Sequence, residues 1–338
     1  MADRMGLAQA FLQRAGWGDG RAEHLAGDAS DRSYARVHLG DRRAVLMDSP
    51  PGGVDDIRAF VAMDRHLRGL GLSAPDILAD DLDQGFLLLE DLGDDLYARL
   101  LQQKPGHEVE IYAAAVDVLA HLQAASAPAD LPNLSAANWA AAAGLVVEHY
   151  VPAATGQSPD ALPFLAALES ALSDHADGPR VLILRDFHAE NLLWLPQRQG
   201  QARVGLLDFQ LGQMGQPGYD LVSLLQDARR DVATQTETAM IARFVAATGA
   251  NATAFAAEYA ALGAQRALRI LGIFARLCVV AGKPGYLRLM PRVWAQLWRN
   301  LDHPALASLR AECRKLLPEP TPDVLTRIAS QCPTSPSR

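Results

Sequence analysis

Cysteine is scarce in this sequence. Cys278, Cys313 and Cys332 are the only three in 338 residues, too few and too widely spaced for a disulfide framework or a cysteine-based zinc site. Such a set suits a reducing compartment, and Cys278, inside an apolar run, is expected in the core. Long hydrophobic runs are missing as well. No stretch reaches the roughly 18 apolar residues of a membrane span; the best candidates, Val181–Leu184 and Ile270–Val280, are short or broken by Arg276. The first residues lack the apolar segment of about 7–15 residues that marks a signal peptide, so a soluble, cytoplasmic chain with no membrane partner is expected. Positive charge is in deficit. Lys and Arg total 31 against 39 Asp and Glu, a net charge of −8, and no basic cluster offsets it. Nucleic acid is therefore an unfavoured partner, since its binding leans on basic surface. Lysine itself occurs only at 104, 283 and 315.

What is present is enough apolar material for a packed core, 49% of the residues, with no internal repeat. Early segments alternate as strands do: Ser33–Leu39 and Arg43–Asp48 around a Gly40-Asp41 turn, then Pro75–Leu78 and Gly85–Glu90. Between them, Val54–Gly69 has helical spacing of apolar residues. After Glu90 the pattern turns helical, over 107–125, 136–150, 162–175, 219–230, 236–247, 251–280, 285–301 and 304–316. Short β-prone runs at Val181–Leu184, Leu192–Leu195 and Val204–Leu207 interrupt it. The expected organisation is a strand-rich lobe over 1–91, a hinge at 90–95, a helical lobe over 96–317 and a loosely held tail over 318–338. The fold class is α+β, with two lobes.

The interrupting runs bracket acidic motifs. Arg185-Asp186-Phe187-His188-Ala189-Glu190-Asn191 is followed, 17 residues after Asn191, by Asp208-Phe209-Gln210. The pattern of R-D, four residues, N, then an apolar strand ending in D-F is that of phosphoryl transfer. That chemistry needs an acceptor at the attacking hydroxyl, which Asp186 supplies. It also needs Mg²⁺, which takes hard oxygen donors and few protein carboxylates; Asn191 and Asp208 offer an amide and a carboxylate oxygen. Asp and Asn are common turn and cap residues, but three at this spacing, each beside an apolar strand, point to a site.

On these motifs the chain resembles the aminoglycoside phosphotransferase family, which has a protein-kinase-like fold. More closely, it resembles the bacterial kinases that phosphorylate N-acetylmuramate and N-acetylglucosamine at the anomeric position. Stretches such as Gly27–Tyr34, Val45–Pro51, Phe86–Gly93 and Tyr219–Leu225 carry the closer resemblance, over roughly residues 5–315. The resemblance implies ATP and Mg²⁺ as cofactors, Asp186 as catalytic residue, and Asn191 and Asp208 as metal ligands. It places the loop containing Ser30, Asp31, Arg32 and Ser33 over the ATP phosphates, and the hinge residues Glu90, Asp91 and Leu92 beside adenine. Peptidoglycan recycling is the process it implies.

The sequence departs from the kinase pattern at one informative place. The third-strand lysine position holds Met47, and the helix after it has no Glu. Losing both halves of an ion pair is less costly than losing one. Arg32 and Arg43 are the candidates to hold phosphate instead, as guanidinium does in a fork. Leu184 stands where related loops often have His, and Gln210 where protein kinases have Gly. On the acceptor side the candidates are His188, Glu148, Arg266 and Arg269. The two arginines share a helix face at i, i+3, placing a cation where it could meet a carboxylate of the substrate. Trp139 is a core residue or a sugar platform. An aminoglycoside, choline or homoserine kinase remains an alternative, and so does a nucleotide-binding module without turnover.

Overall fold

The computed structural model of the chain describes residues 2–25, 32–52 and 57–333. The first elements in chain order are α1 (Ala2–Arg14), β1 (Arg21–Leu25), β2 (Ser33–Leu39), β3 (Arg42–Asp48), α2 (Ile57–Gly69), β4 (Ile77–Asp81), β5 (Phe86–Glu90) and α3 (Tyr97–Gln103). Then come α4 (Glu108–Ala124), α5 (Ala136–Ala143), α6 (Val151–Thr155), α7 (Leu162–His175), β6 (Val181–Ile183), β7 (Leu192–Trp194), β8 (Val204–Leu206) and β9 (Gln213–Gly215). The rest is helical: α8 (Tyr219–Leu225), α9 (Thr234–Thr248), α10 (Ala252–Val279), α11 (Met290–Leu301), α12 (Ala307–Leu316) and α13 (Pro322–Ala329). Among the described residues no helix is long and apolar enough to cross a membrane. The chain divides into two compact units, 1–107 with 189–212, and 108–188 with 213–338.

The first unit is built on a five-stranded antiparallel sheet in the order β1-β2-β3-β5-β4. Leu39 pairs with Arg42 across Gly40-Asp41, the expected two-residue turn, with Gly40 left-handed. One face of the sheet buries Val37, Ala44, Leu46, Phe86 and Leu88 against Phe11, Leu12 and Trp17 of α1 and its exit. Phe11 and Phe86 stack at 5.6 Å, and each such ring contributes about 1.5–3 kcal/mol on burial. α2 buries Ile57, Phe60, Val61, Met63 and Leu67. The β4–β5 turn needs a glycine. Gly85 is left-handed and a Cβ there would lie 1.9 Å from the carbonyl oxygen of Ser49. The unit continues past residue 91 because β7 and β8 return to it: Trp194 N donates to Asp95 O at 2.8 Å and Ala98 N to Ala189 O at 3.0 Å.

The second unit packs helices around α10, whose N-cap Asn251 accepts from Ala254 N. At Gly272 a Cβ would sit 2.3 Å from the backbone carbon of Leu145, so only glycine permits this approach. Opposite it the expected helix 136–150 breaks: α5, capped by a Ser135/Asn138 capping box, ends at Gly144, and Val146–Tyr150 forms a π-helix. The expected helix 219–230 stops at Leu225, because Asp227 turns back to accept from Arg229 N at 2.8 Å. The segment after 318, expected to be loosely held, folds as α13. Thr321 caps it, Pro322 opens it and Ile328 is fully buried. Cys278 Sγ donates to Ile328 O at 3.7 Å, and burial first, then the neighbouring Cys332 thiol, pushes the Cys278 thiol up to about 11. Wide spacing in sequence thus did not keep these two cysteines apart.

Candidate active site

In the second unit, β6 delivers the chain into the loop that carries Asp186. Leu184 N and Arg185 N donate to the two carboxylate oxygens of Asp220 at 2.6 and 2.8 Å. Asp220 is fully buried, and burial pushes it up to about 7, opposed by those two N–H donors and by the charge of Arg266. This anchor holds Arg185 at φ +72°, a conformation that non-glycine residues adopt at a cost and that recurs at functional sites. Asp186 N then donates to Leu184 O at 2.9 Å and His188 N to Asp186 O at 3.1 Å, so the loop is a pair of tight turns.

His188 is buried, and desolvation, with Arg229 and Arg266 adding to it, lowers its imidazole to about 4 against the pull of Asp227 and Asp186. It is neutral at physiological pH. Arg266, on α10, is 7% exposed. Its guanidinium lies 5.8 Å from the ring centroid of Tyr219, which stacks on Trp139 at 4.5 Å. Trp139 is therefore a core residue, buried in that stack. The structure groups Asp186, His188 and Arg266 around Asp220. It does not bring Glu148 or Arg269 into that group: Glu148 is exposed on the π-helix and Arg269 half-buried on α10, with no hydrogen bond or ion pair to it among the described residues.

In the first unit, the β7–β8 hairpin pairs Leu192 with Leu206 and Trp194 with Val204. Asn191 O accepts from Leu207 N at 2.9 Å, which puts Asn191 and Asp208 at the same end of the hairpin. Asp208 is left-handed, φ +54°, as Asp tolerates better than most residues. Gln210 Nε2 donates to Asp208 Oδ1 at 2.7 Å, a role the sequence reading missed although the i, i+2 amide was its signal. Next to it Phe209 packs on Phe60 of α2 at 4.8 Å. Asn191 and Asp208 are both hard oxygen donors, the type Mg²⁺ takes. No group of three or more His, Cys, Asp or Glu that could hold a metal occurs among the described residues.

The nucleotide candidates are scattered more unevenly. Ser30 and Asp31 lie outside the described residues. Arg32 is buried, and Ser33, the first residue of β2, is exposed. Arg43 is 53% exposed and its Nε lies 3.6 Å from Asp91 Oδ2. Glu90 accepts from Arg198, and its other oxygen from Asp76 N at 3.3 Å. Asp91 is almost completely buried, bonded to Arg36 and to Gly93 N at 3.0 Å each. Leu92 is half-buried, and its main-chain N–H and C=O make no hydrogen bond among the described residues. Arg36 is a residue that sequence reasoning did not single out.

The profile of the phosphotransferase enzyme family matches residues 21–262, spanning both the hairpin and the Asp186 loop. The chain belongs to this family. An N-acetylmuramate/N-acetylglucosamine kinase of Caulobacter vibrioides is 40% identical, over 95% of this chain and 98% of the relative. One of Pseudomonas aeruginosa is 32% identical over 83% and 85%. Among solved structures, a choline kinase of Streptococcus pneumoniae aligns with TM-score 0.58 at 14% identity, covering 91% of this chain and all of the other. That likeness gives the fold, the α+β protein-kinase-like class expected from the sequence. In this phosphotransferase the third-strand position holds Met47, which is fully buried.

Proposed function

We propose that this phosphotransferase moves the γ-phosphate of ATP onto the anomeric hydroxyl of N-acetylmuramate, N-acetylglucosamine or both, in the cytoplasm, as a step of cell-wall sugar recycling. The observation that carries this reading is 40% identity, along 95% of the chain, to a kinase of that name.

In this reading Asp186 accepts the hydrogen bond, and then the proton, of the attacking hydroxyl. The new bond joins that oxygen to the γ-phosphorus as the bond to the β,γ-bridging oxygen breaks, and ADP leaves with the electron pair. Asp220 keeps Asp186 in place through Leu184 and Arg185. An anomeric hydroxyl is more acidic than an ordinary alcohol, so a carboxylate base suffices. Asn191 and Asp208, with Gln210 orienting the carboxylate, would hold Mg²⁺, which when bound neutralises charge on the β- and γ-phosphates. Adenine would bond to the main chain at Leu92, in a hinge over 90–95 closing the nucleotide-covering lobe of 1–91. The Ser30–Ser33 loop would lie along the phosphates. His188, neutral and with a buried Nδ1 that makes no hydrogen bond, would bond a sugar hydroxyl, and Arg266 the carboxylate of N-acetylmuramate. Glu148 and Arg269 would lie further out on the acceptor side.

The test is an acceptor screen with ATP and Mg²⁺, the phosphorylated position read by NMR. Sugar 1-phosphate is the expected product. Turnover of kanamycin or choline but neither sugar, or ATP binding with no acceptor phosphorylated, would overturn the reading. Asp186→Asn should lower turnover by at least about 10²–10⁴-fold while sparing ATP binding.

A further inference from the structure

Strand geometry puts three residues of the first unit on one side of the sheet. Side chains alternate faces along a strand, and Arg36 pairs with Val45, which pairs with Leu89. Continuing one residue past the paired Ala44 and Glu90, Arg43 stands beside Asp91. Arg36, Arg43 and Asp91 therefore share the face opposite α1, and Arg36 reaches Asp91 across the whole of β3. Two strand spacings are about 10 Å, close to the full span of an arginine side chain between Cα and a bonded carboxylate.

The contacts are those of a fork closed on a loop. Arg36 Nε lies 2.9 Å from Asp91 Oδ2, and Nη2 donates to Asp91 Oδ1 at 3.0 Å. The same Nη2 donates to Asp94 Oδ1 at 2.9 Å, and Nη1 to Asp94 Oδ2 at 3.2 Å. Gly93 O lies 3.5 Å from Nη2. Asp91 also accepts from Gly93 N, and Gly93 is left-handed at φ +90°. The segment 91–94 is thereby tied at both ends to one guanidinium, which is 15% exposed, on an Asp91 side chain only 3% exposed. The pair with Asp94 is bidentate, and the one with Asp91 is a single hydrogen bond onto a buried carboxylate; charge-assisted bonds are the strong ones, and burial limits the screening of the second. Arg43 touches the same acid at longer range from a half-solvated position, where an ion pair is worth little. Between the two tethered acids sits Leu92, whose main-chain groups make no hydrogen bond among the described residues.

We propose that Arg36 is a positioning residue for the nucleotide. By clamping Asp91 and Asp94 it fixes the Leu92 main chain in the conformation that bonds the base. This rests on the hinge reading above. Arg36 does no chemistry, so it acts on nucleotide affinity and base selectivity and not on the transfer step.

The experiment compares Arg36→Met, Arg36→Lys, Asp94→Asn and Arg43→Ala with the unaltered full chain. It measures KM for ATP, kcat, and equilibrium affinity for ADP and for inorganic triphosphate, which has no base. Arg36→Met should raise KM for ATP about tenfold, ~1.4 kcal/mol, with kcat within twofold, and weaken ADP but not triphosphate. Arg36→Lys, a point charge without the fork, should recover little of the loss. Asp94→Asn, a change at a largely exposed side chain whose bonds go to Arg36, should give a smaller shift in the same direction, and Arg43→Ala almost none. Equal losses of ADP and triphosphate affinity, a fall in kcat at unchanged KM, or an Arg43→Ala effect exceeding that of both Arg36 variants would overturn the proposal. If Arg36→Met does not fold, Asp94→Asn decides: no change in KM or ADP affinity overturns it. An unaltered chain that binds ADP no better than triphosphate would instead sink the hinge reading itself.

Discussion

Asp64 offers a test that is independent of catalysis. It lies on α2 at 1% exposure, and its Oδ1 makes no hydrogen bond. Beside it is a cavity of about 260 Å³ lined also by Arg65, Arg68, Asp76, Ile77 and Asp80. Burial pushes the carboxyl from 3.8 up to about 7; Arg68 pulls it down and Asp76 pushes it further up. The folded chain thus holds a proton that the unfolded chain has released between pH 4 and 7. Stability falls as pH rises through that window and stays low above it. A rise of this size corresponds to a ceiling of about 4 kcal/mol. The adjoining cavity admits water and Arg68 is near, so about 2 kcal/mol is the expected cost at pH 8. Asp64→Asn removes the ionisation at nearly constant shape. The variant should be more stable than the parent at pH 8, by a margin that shrinks steadily towards pH 5. Thermal unfolding of both proteins at half-unit steps from pH 5 to 8.5 measures it. A margin independent of pH, or one that grows as pH falls, would refute the reasoning.

Four further outcomes follow from the same geometry. Gly272→Ala drives a methyl group into the backbone of Leu145 and Val146; it should cost about 1–3 kcal/mol, seen as a lower urea midpoint, and an unchanged midpoint would contradict the close approach. Asp220→Ala strips the Leu184 and Arg185 N–H groups of their acceptors; turnover should fall more than tenfold (~1.4 kcal/mol) with ATP affinity retained, and undiminished turnover would show that the loop needs no anchor. Arg43 is engaged with Asp91, so of the two phosphate candidates Arg32→Ala should raise KM for ATP more than Arg43→Ala; the reverse order would return Arg43 to the phosphates. Burial pushes the Cys313 thiol up to about 12 and that of Cys278 up to about 11, so brief iodoacetamide treatment at pH 8 should modify Cys332 ahead of both, and all three in urea; rapid native labelling of Cys313 would show it accessible.

What the sequence made legible was local. The strands β2, β3 and β5 announce themselves by alternation and by Gly40-Asp41, and Asp186, Asn191 and Asp208 by a spacing that short turns dictate. Helix 162–175 was read to the residue because a polar stretch and Pro163 open it. What escaped depends on partners far along the chain. α1 is weakly patterned and becomes a core element only where Phe11 and Leu12 meet Phe86. β1 is nearly all exposed, with no hydrophobic face to betray it. The tail beyond 318 is unpatterned by composition, yet a buried Ile328 and hydrogen bonds from Arg327 and Gln331 to the carbonyls of Ala154 and Ala153 seat α13. Glu148, exposed on the π-helix, and Arg269, half-buried on α10, make no contact with the Asp186–His188–Arg266 group among the described residues, a separation that helix spacing alone does not reveal.

The missing lysine is the place where sequence and structure bear on each other most. A buried apolar Met47 on β3 removes one half of the usual ion pair, and α2 has no Glu to supply the other. Yet α2 does carry a buried acid, Asp64. It lines the polar cavity with Arg65, Arg68, Asp76 and Asp80, and burial pushes its carboxyl up to about 7. The face of the sheet shared by Met47 still carries Arg36 and Arg43, but both are turned to Asp91. The positive charge of these two arginines is thus engaged by acids of the segment that follows β5. Met47 is fully buried, so a lysine there would need an ionised carboxylate beside it to offset its desolvation; the apolar side chain makes no such demand.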